Sequence, residues 1–199
     1  YAENGGRAVF AANCSQCHGA GADGVQAGGY PSLVDNDWLW GGTLEEIVYT
    51  VAHGIRNEQS LDARYSQMTA YGEFFTEEEI TNVTHYAMSL SDPDGDGVTL
   101  VGAEYDTAIA AQGEELYLNN CAACHMDDGS GDQFQGAPNL TDAIWLYGGD
   151  VDTVTETVTY ARFGVMRAWS EDYRSGGGLS ADEINAVAYF VHTRGGGVE

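Results

Sequence analysis

One short motif, Cys-x-x-Cys-His, occurs twice and constrains this chain more than any other feature. The two copies are formed by Cys14, Cys17 and His18 and by Cys121, Cys124 and His125. These four cysteines are the only ones in the 199 residues. The same chemistry must therefore explain both copies, and no cysteine remains for another purpose.

The two motifs belong to a longer internal repeat. An offset of 107 residues separates Cys14 from Cys121, and the same offset relates Pro31 to Pro138. Self-similarity at a fixed spacing indicates repeated structural units. The sequence therefore predicts two homologous domains in tandem.

The predicted boundaries are 1–91 for domain 1, 92–106 for an interdomain linker and 107–199 for domain 2. Pro93 and three glycines in this linker stop the preceding helix. Its Asp-Pro-Asp-Gly-Asp-Gly run imitates the start of a calcium-binding loop, but the twelfth position holds Ala103 in place of glutamate. A polar turn is the better interpretation.

Helix signals recur in both halves, so we predict an all-α fold with three or more helices per half. Thr43, Thr76 and Ser180 each stand three residues before a glutamate, which is the spacing of a capping box. Apolar residues then follow at helical intervals. The segment 151–160 has the same register, although its valine and threonine content would also suit a strand.

The charge balance excludes one class of partner. The chain carries 31 acidic side chains against seven basic ones, all of them arginine, for a net charge of −24. Nucleic acid is excluded as a partner because binding it requires positive charge to neutralise phosphates. An acidic field of this size steers cationic partners, although it also suits a solvated surface adapted to salt.

Three kinds of ligand could explain the two motifs. A redox dithiol gives no reason for histidine to follow each pair, and a zinc ribbon would need pairs that lie 107 residues apart in separate repeats. Covalently attached haem explains every position, since two thiols one helical turn apart reach both vinyl groups and the histidine ligates the iron. We therefore predict two haem c groups, with His18 and His125 as proximal iron ligands.

The distal iron ligand is predicted to be methionine in both halves. Met68 and Met166 occupy matching places in irregular segments, each followed two and three residues later by alanine and an aromatic residue. A thioether at this position raises the potential of haem iron. His53 remains an alternative for the first haem.

Several further residues are predicted to contact the haem. The carbonyls of Pro31 and Pro138, each 13 residues past a proximal histidine, could accept the imidazole Nδ1–H. Trp38 and Trp145 offer indole donors for a propionate, although core packing explains them nearly as well. Five of the seven arginines cluster around the two methionines, which suggests propionate pairing or a positive patch at the haem edge. The five are Arg56, Arg64, Arg162, Arg167 and Arg174.

On these residues the chain resembles the dihaem subunit of cbb3-type cytochrome c oxidases. The most specific stretches are "PNLTDAIWLYGG", "RYSQM" and "ARFGVMRAW". The resemblance implies two class I cytochrome c domains, each wrapping one haem, with Met68 and Met166 as distal ligands. It also implies electron delivery from a donor cytochrome or quinol-oxidising complex towards the oxidase's catalytic subunit.

The predicted function is thus electron transfer, with no catalysis by the chain alone. The alternatives are a free dihaem shuttle similar to cytochrome c4 and, with less support, a dihaem peroxidase or a haem gas sensor. We expect a periplasmic location, or the periplasmic face of the inner membrane, because haem is attached after export. No apolar run of 18 or more residues occurs, so membrane contact is expected only through a missing anchor or a complex.

Overall fold

The computed structural model describes residues 2–174 and 176–195, and it is predominantly helical in this part of the chain. The helices are α1 (Ala2–Asn13), α2 (Ser15–His18), α3 (Leu44–His53), α4 (Glu77–Ser89), α5 (Thr107–Asn120), α6 (Ala122–His125), α7 (Val151–Tyr160) and α8 (Ala181–His192). Two 3₁₀ turns are present at Gln26–Gly28 and Tyr71–Glu73. Extended backbone pairs only in isolated bridges within the described residues. The predicted all-α fold is confirmed.

Helix starts follow the predicted capping chemistry. Thr43, Thr76 and Ser180 each accept a hydrogen bond from the amide of the glutamate three residues on, and that glutamate bonds back to the cap's own amide. Asp106 and Asp150 cap α5 and α7 through their carboxylates. These bonds satisfy amides that an isolated helix would leave unpaired, which fixes where each helix begins.

The ambiguous segment 151–160 is a helix. Its cap, Asp150, accepts from the amide of Thr153, while Val154 and Val158 are buried one turn apart on the same face. Tertiary packing of this apolar face overrides the β propensity of its valines and threonines.

The chain forms two compact units that do not coincide with the two halves of the repeat. Unit 1 contains Tyr1–Ser66 together with Gly164–Glu199, and unit 2 contains Gln67–Phe163. Unit 1 therefore holds α1, α2, α3 and α8, whereas unit 2 holds α4 to α7. Each unit combines the Cys-x-x-Cys-His motif of one half with the last helix of the other half.

Helix pairing shows the same exchange. In unit 1, α1 packs on α8, and α3 also contacts α8. In unit 2, α5 packs on α4, and α7 also contacts α4. A glycine lies at each of the two main crossings: a Cβ on Gly6 would overlap the carbonyl oxygen of Ala186, and one on Gly113 would overlap that of Asn82. Gly6 and Gly113 are related by the 107-residue offset, so both crossings are built in the same way.

Each unit has its own hydrophobic core. The core of unit 1 joins Phe10 of α1 and Ile47 of α3 to Val187 and Phe190 of α8. The core of unit 2 joins Tyr117 of α5 and Val154 of α7 to Val83 and Met88 of α4. Phe10 and Tyr117, each four residues before the first cysteine of a motif, are almost completely buried.

The segment 92–106, predicted to be an interdomain linker, lies inside unit 2. Asp92 accepts hydrogen bonds from the amides of Asp94, Gly95 and Gly97 and from the hydroxyl of Tyr105. These bonds form a closed polar turn. They engage the carboxylate of Asp92, which would be the first ligand of a calcium-binding loop. The chain passes between the units elsewhere, after Ser66 and after Phe163.

Among the described residues, no helix combines the length and the apolar character that crossing a membrane requires.

Candidate haem-binding sites

Both Cys-x-x-Cys-His motifs adopt the same local structure. In the first, α1 ends at Asn13, Cys14 forms the junction, and the amides of Cys17 and His18 donate to the Cys14 carbonyl at 3.1 and 3.0 Å. The second motif repeats these bonds at 3.1 and 2.9 Å. All four thiols are free of disulfide bonds. The short helix of each motif therefore separates its two thiols by about one turn, and the histidine follows the second cysteine directly.

The two histidines are oriented by backbone carbonyls. His18 Nδ1 lies 3.0 Å from the carbonyl oxygen of Pro31, and His125 Nδ1 lies 3.0 Å from that of Pro138. The carbonyl accepts, so Nδ1 carries the proton and Nε2 is left as the lone-pair donor that a metal needs. These contacts have the geometry predicted from the 13-residue spacing.

Burial favours the neutral form of both imidazoles and the protonated form of the first thiol in each motif. It lowers the pKa of His18 and of His125, while the hydrogen bond to each proline carbonyl acts in the opposite direction. Burial also raises the pKa of the Cys14 thiol to about 11, with a smaller contribution from Cys17. The pKa of Cys121 is raised to about 11 by the same cause. Neutral imidazole is the form that binds a metal.

The structure places each predicted methionine with the motif of the opposite half. Met166 packs against the core of unit 1, which includes Trp38 and against which Cys14 also packs. Met68 packs against the core of unit 2, as do Cys121, Trp145 and Leu140. The exchange occurs within a few residues of each methionine, because the chain changes unit after Ser66 and after Phe163.

The sequence pattern of the cytochrome c family matches residues 3–91 and again residues 110–195. The chain belongs to the cytochrome c family. Two matches account for most of its length, and each contains one complete Cys-x-x-Cys-His motif. This cytochrome accordingly carries two covalently bound haem c groups.

Curated relatives of the cytochrome are subunits of one kind of oxidase. It is 50% identical over 199 residues to the cbb3-type cytochrome c oxidase subunit CcoP of Cereibacter sphaeroides, covering 99% of this chain and 62% of that protein. The subunit FixP of Azorhizobium caulinodans is 45% identical over 96% of this chain and 59% of its own length. FixP of Bradyrhizobium diazoefficiens is 44% identical over 96% and 61%. The chain thus spans about three fifths of the length of these relatives.

An orphaned donor in the cytochrome fits the haem group. The indole Nε1 of Trp38 is buried and has no hydrogen-bond partner among the described residues. A buried donor without an acceptor is costly, so its partner is expected from a bound group. A haem propionate supplies such an acceptor. Trp145 is the repeat counterpart of Trp38 and packs at the core of unit 2.

Two of the predicted arginines lie over aromatic rings. The Arg64 guanidinium is 5.7 Å from the centre of the Trp40 ring and donates to the Thr50 hydroxyl at 2.8 Å. Arg162 lies 4.8 Å from the centre of the Tyr147 ring and forms an ion pair with Glu156. Burial lowers the pKa of Arg64. Their contact with a propionate stays a prediction, since each guanidinium already has a partner in the protein.

The other arginines of the predicted cluster all lie in unit 1. Arg56 is 5.8 Å from the centre of the Trp40 ring, and Arg167 and Arg174 are 5.7 and 4.5 Å from that of Trp169. The positive charge that was predicted to surround both methionines is therefore concentrated in one unit.

His53, the alternative distal ligand, and two further residues with ligating side chains, His85 and Met88, have structural contacts of their own. His53 Nδ1 lies 3.1 Å from the Ser60 hydroxyl, with its ring against Tyr49 and Tyr173. His85 accepts the Asp106 amide at 2.9 Å, and Met88 is fully buried in the core of unit 2. These contacts favour packing roles.

Met126 follows the proximal histidine of the second motif and has a φ of 64°, at the position where the first half has Gly19 with a φ of 79°. This left-handed turn is rare for a side chain with a Cβ. It ends α6 immediately after the ligand histidine.

Sequence reasoning missed Tyr71, which ties the Met68 segment to the second motif. Its hydroxyl donates to the carbonyl of Asn120 at 2.6 Å, and its ring stacks on Phe75. Burial raises its pKa to about 12, with further contributions from Cys121 and Cys124. Its position three residues after Met68 could have indicated a role near the distal ligand. Its hydrogen-bond partner, Asn120, was predicted to lie in the other domain, so the contact was not expected.

Proposed function

We propose that this cytochrome c works as the two-haem subunit of a cbb3-type oxidase. It would accept electrons from a donor cytochrome or a quinol-oxidising complex and pass them towards the catalytic subunit. The observation that carries the proposal is that each compact unit contains one complete set of two thiols, an oriented imidazole and a methionine. The names of the relatives that align with nearly the whole chain support the assignment.

The proposed iron ligands are exchanged between the halves of the repeat. In unit 1, His18 would be paired with Met166, and in unit 2 His125 would be paired with Met68. Met166 and Cys14 pack against the same core, and Met68 and Cys121 pack against the other, which supports this pairing. His53 is a weaker candidate because its ring nitrogen already faces Ser60.

The protein residues would set the properties of each redox centre. Haem c, when bound, supplies a reversible one-electron couple. The carbonyls of Pro31 and Pro138 hold the imidazoles in one tautomer and one orientation. The methionine thioethers favour the reduced iron, and the apolar cores limit access of water. The chain would perform no catalysis by itself.

The charge of the chain supports a cationic redox donor. A net charge of −24 attracts basic partners over long distances and raises their association rate by about 10- to 1,000-fold at low salt. Such encounters are brief and bury little surface. Covalent attachment of haem after export supports the periplasm, or the periplasmic face of the inner membrane, as the location.

Three other functions predict different measurements. A free shuttle of the cytochrome c4 kind would have the same two haems but no stable association with an oxidase. A dihaem peroxidase or a gas sensor would need an iron with an open or displaceable distal position. The presence of a methionine in each unit favours electron transfer over both.

The test uses the two-haem protein in its full-length form. Both irons should be low-spin with a methionine-to-ferric-iron absorption band, and a redox titration should show that Met68→His and Met166→His each lower one potential. The reduced protein should pass electrons to an oxidase core that lacks this subunit and should remain bound to it. Unchanged potentials would refute the ligand assignment, whereas transfer without stable binding would favour the free shuttle. A high-spin iron that turns over peroxide would favour the enzyme.

A further inference from the structure

The chain after α3 contains an insertion that has no counterpart after α7. Ala161 caps α7 and is followed at once by Arg162, whereas nine residues, 55–63, stand between the cap of α3, Gly54, and Arg64. Gly54 and Ala161 are separated by the 107-residue offset of the repeat, and both have positive φ. We refer to residues 55–63 as the insert.

The insert holds the backbone of Met166. The Ile55 amide donates to the Met166 carbonyl at 2.8 Å, and the Met166 amide donates to the Ile55 carbonyl at 3.0 Å. The side-chain Nδ2 of Asn57 donates to the same Met166 carbonyl at 3.0 Å. The amide of Met166 and both lone pairs of its carbonyl are thereby engaged.

The orientation of the Asn57 amide is fixed by its other contacts. Its Oδ1 accepts from the amides of Gln59 and Ser60 at 3.0 and 3.2 Å, which only an oxygen can do. Its Nδ2 therefore faces two carbonyls, those of His53 at 2.9 Å and of Met166 at 3.0 Å. Asn57 thus ties the end of α3 to the methionine segment.

Two more residues of the insert bond the chain on either side of Met166. The amide of Ala168 donates to Gln59 Oε1 at 3.2 Å. One guanidinium nitrogen of Arg56 donates to the carbonyl of Gly164 at 3.1 Å. The insert therefore contacts the methionine segment before, at and after the methionine itself.

We propose that the insert is a positioning element for the axial methionine of the haem attached at Cys14 and Cys17, with Asn57 as its central residue. This inference rests on the proposed ligation by Met166. A methionine whose backbone is held at both its amide and its carbonyl remains near the iron after its bond breaks. It rebinds before another ligand replaces it, so the insert reduces the population of iron without methionine.

The test compares variants of the full two-haem protein. Asn57→Asp keeps the oxygen that the Gln59 and Ser60 amides need but replaces the Nδ2 donor. The measurement is the methionine-to-ferric-iron band as the pH is raised until the methionine is displaced. Both haems contribute to this band, and the contribution that disappears in Met166→Leu is assigned to Met166. We expect Asn57→Asp to lose the Met166 contribution at a lower pH than the wild type. The population of methionine-free iron should be about tenfold larger, which corresponds to the loss of one or two ordinary hydrogen bonds.

Two substitutions at exposed Gln59 serve as controls. Gln59→Glu adds the same charge to the insert but keeps an acceptor for the Ala168 amide, so it should behave as wild type. Gln59→Leu removes that acceptor and should show a smaller loss than Asn57→Asp. Wild-type behaviour of Asn57→Asp, or an equal loss in Gln59→Glu, would overturn the inference and leave the ligation standing. A band that Met166→Leu does not change would overturn the ligation and the inference together.

Discussion

Unit 1 joins two separate stretches, residues 1–66 and 164–199, around one motif, whereas unit 2 is a single continuous stretch, residues 67–163. The two nevertheless share one design, in which the helix before the motif crosses the last helix of the other half at a glycine. The difference teaches that a repeat can exchange its parts when the crossing is preserved. The fold depends on the surface through which the two helices pack, and the order of those helices along the chain matters less.

The units also differ in how the methionine segment is attached. In unit 1 the insert bonds Met166 through its backbone, and in unit 2 the Tyr71 hydroxyl bonds the carbonyl just before Cys121. In unit 1 the hydrogen bonds join the methionine itself to the segment after α3. In unit 2 the hydrogen bond joins a residue near the methionine to the residue just before the Cys-x-x-Cys-His motif. The two sites are therefore expected to respond differently to substitution.

Removing one haem gives the largest expected effect. In a Cys14→Ala, Cys17→Ala variant only the haem of the second motif remains. We expect Met68→Leu in this background to abolish the methionine-to-iron band and Met166→Leu to leave it, because Met68 lies in unit 2. Absorption spectra of the ferric proteins make the comparison.

The mirror experiment removes Cys121 and Cys124 and should reverse the roles of the two methionines. If each remaining haem instead depended on the methionine of its own half, the exchanged pairing would be disproved. The experiment separates the two pairings because only one haem contributes to each spectrum.

Substitution of the crossing glycines should destabilise each unit in the same way. A Cβ at Gly6 or Gly113 would overlap a carbonyl of the facing helix, so Gly6→Ala and Gly113→Ala should each lower the free energy of unfolding by about 1–3 kcal/mol. Thermal unfolding of the two-haem protein measures this loss.

Gly5 provides the matched control, because a Cβ there would meet nothing within 4 Å. Gly5→Ala should raise stability by about 0.5–1 kcal/mol, as alanine restricts the unfolded chain. Equal effects of Gly5→Ala and Gly6→Ala would contradict the close crossing of α1 and α8.

Removal of the Tyr71 hydroxyl should affect the Met68 site alone. Tyr71→Phe loses the bond to the Asn120 carbonyl, worth about 1 kcal/mol, and should shift displacement of Met68 to lower pH. Tyr49→Phe is the control, since its hydroxyl bonds the Asp62 carbonyl in unit 1. A shift of the Met68 part of the band in Tyr49→Phe would argue against a local role for Tyr71.

The smallest expected effect is a pH dependence that His85 contributes to the stability of unit 2. Burial lowers the pKa of His85, and the charge of Asp106 partly offsets this. The Nδ1 of His85 accepts the Asp106 amide, which requires that nitrogen to be unprotonated. The unfolded chain takes up a proton as the pH falls below about 6.5, while the folded unit resists it, so stability is lost on acidification. Unit 1 has Tyr189 at the equivalent place.

His85→Asn keeps an acceptor near the position of Nδ1 but cannot be protonated. We expect the melting temperature of this variant to fall less between about pH 7 and about pH 5 than that of the wild type. An identical fall in both proteins would show that His85 does not contribute.

Local chemistry made much of the structure predictable from the sequence. A capping box joins residues three apart, so Thr43, Thr76 and Ser180 were sufficient to locate three helix starts. The contact of each histidine with a proline carbonyl spans only 13 residues within one loop. Such interactions depend on neighbours in the chain and not on the partner that each helix selects.

The exchange of halves could not be read from the same patterns. Since α4 and α8 are repeat equivalents, either one presents an apolar face suited to α1, and helical periodicity does not distinguish them. The insert was equally hidden, because its polar residues act through the backbone of a segment more than 100 residues later. The turn at Asp92 looked like a linker because glycines and proline mark any break in a helix.

The exchanged pairing of α1 with α8 has a consequence for biogenesis. Unit 2 closes through helices that are near neighbours in the chain, and contacts of short sequence separation form fastest. Unit 1 cannot close without α8, which begins at Ala181, far along the chain from the first motif. The cysteines of the first motif are thus expected to be enclosed later than those of the second, which leaves the attachment machinery longer access to the first motif.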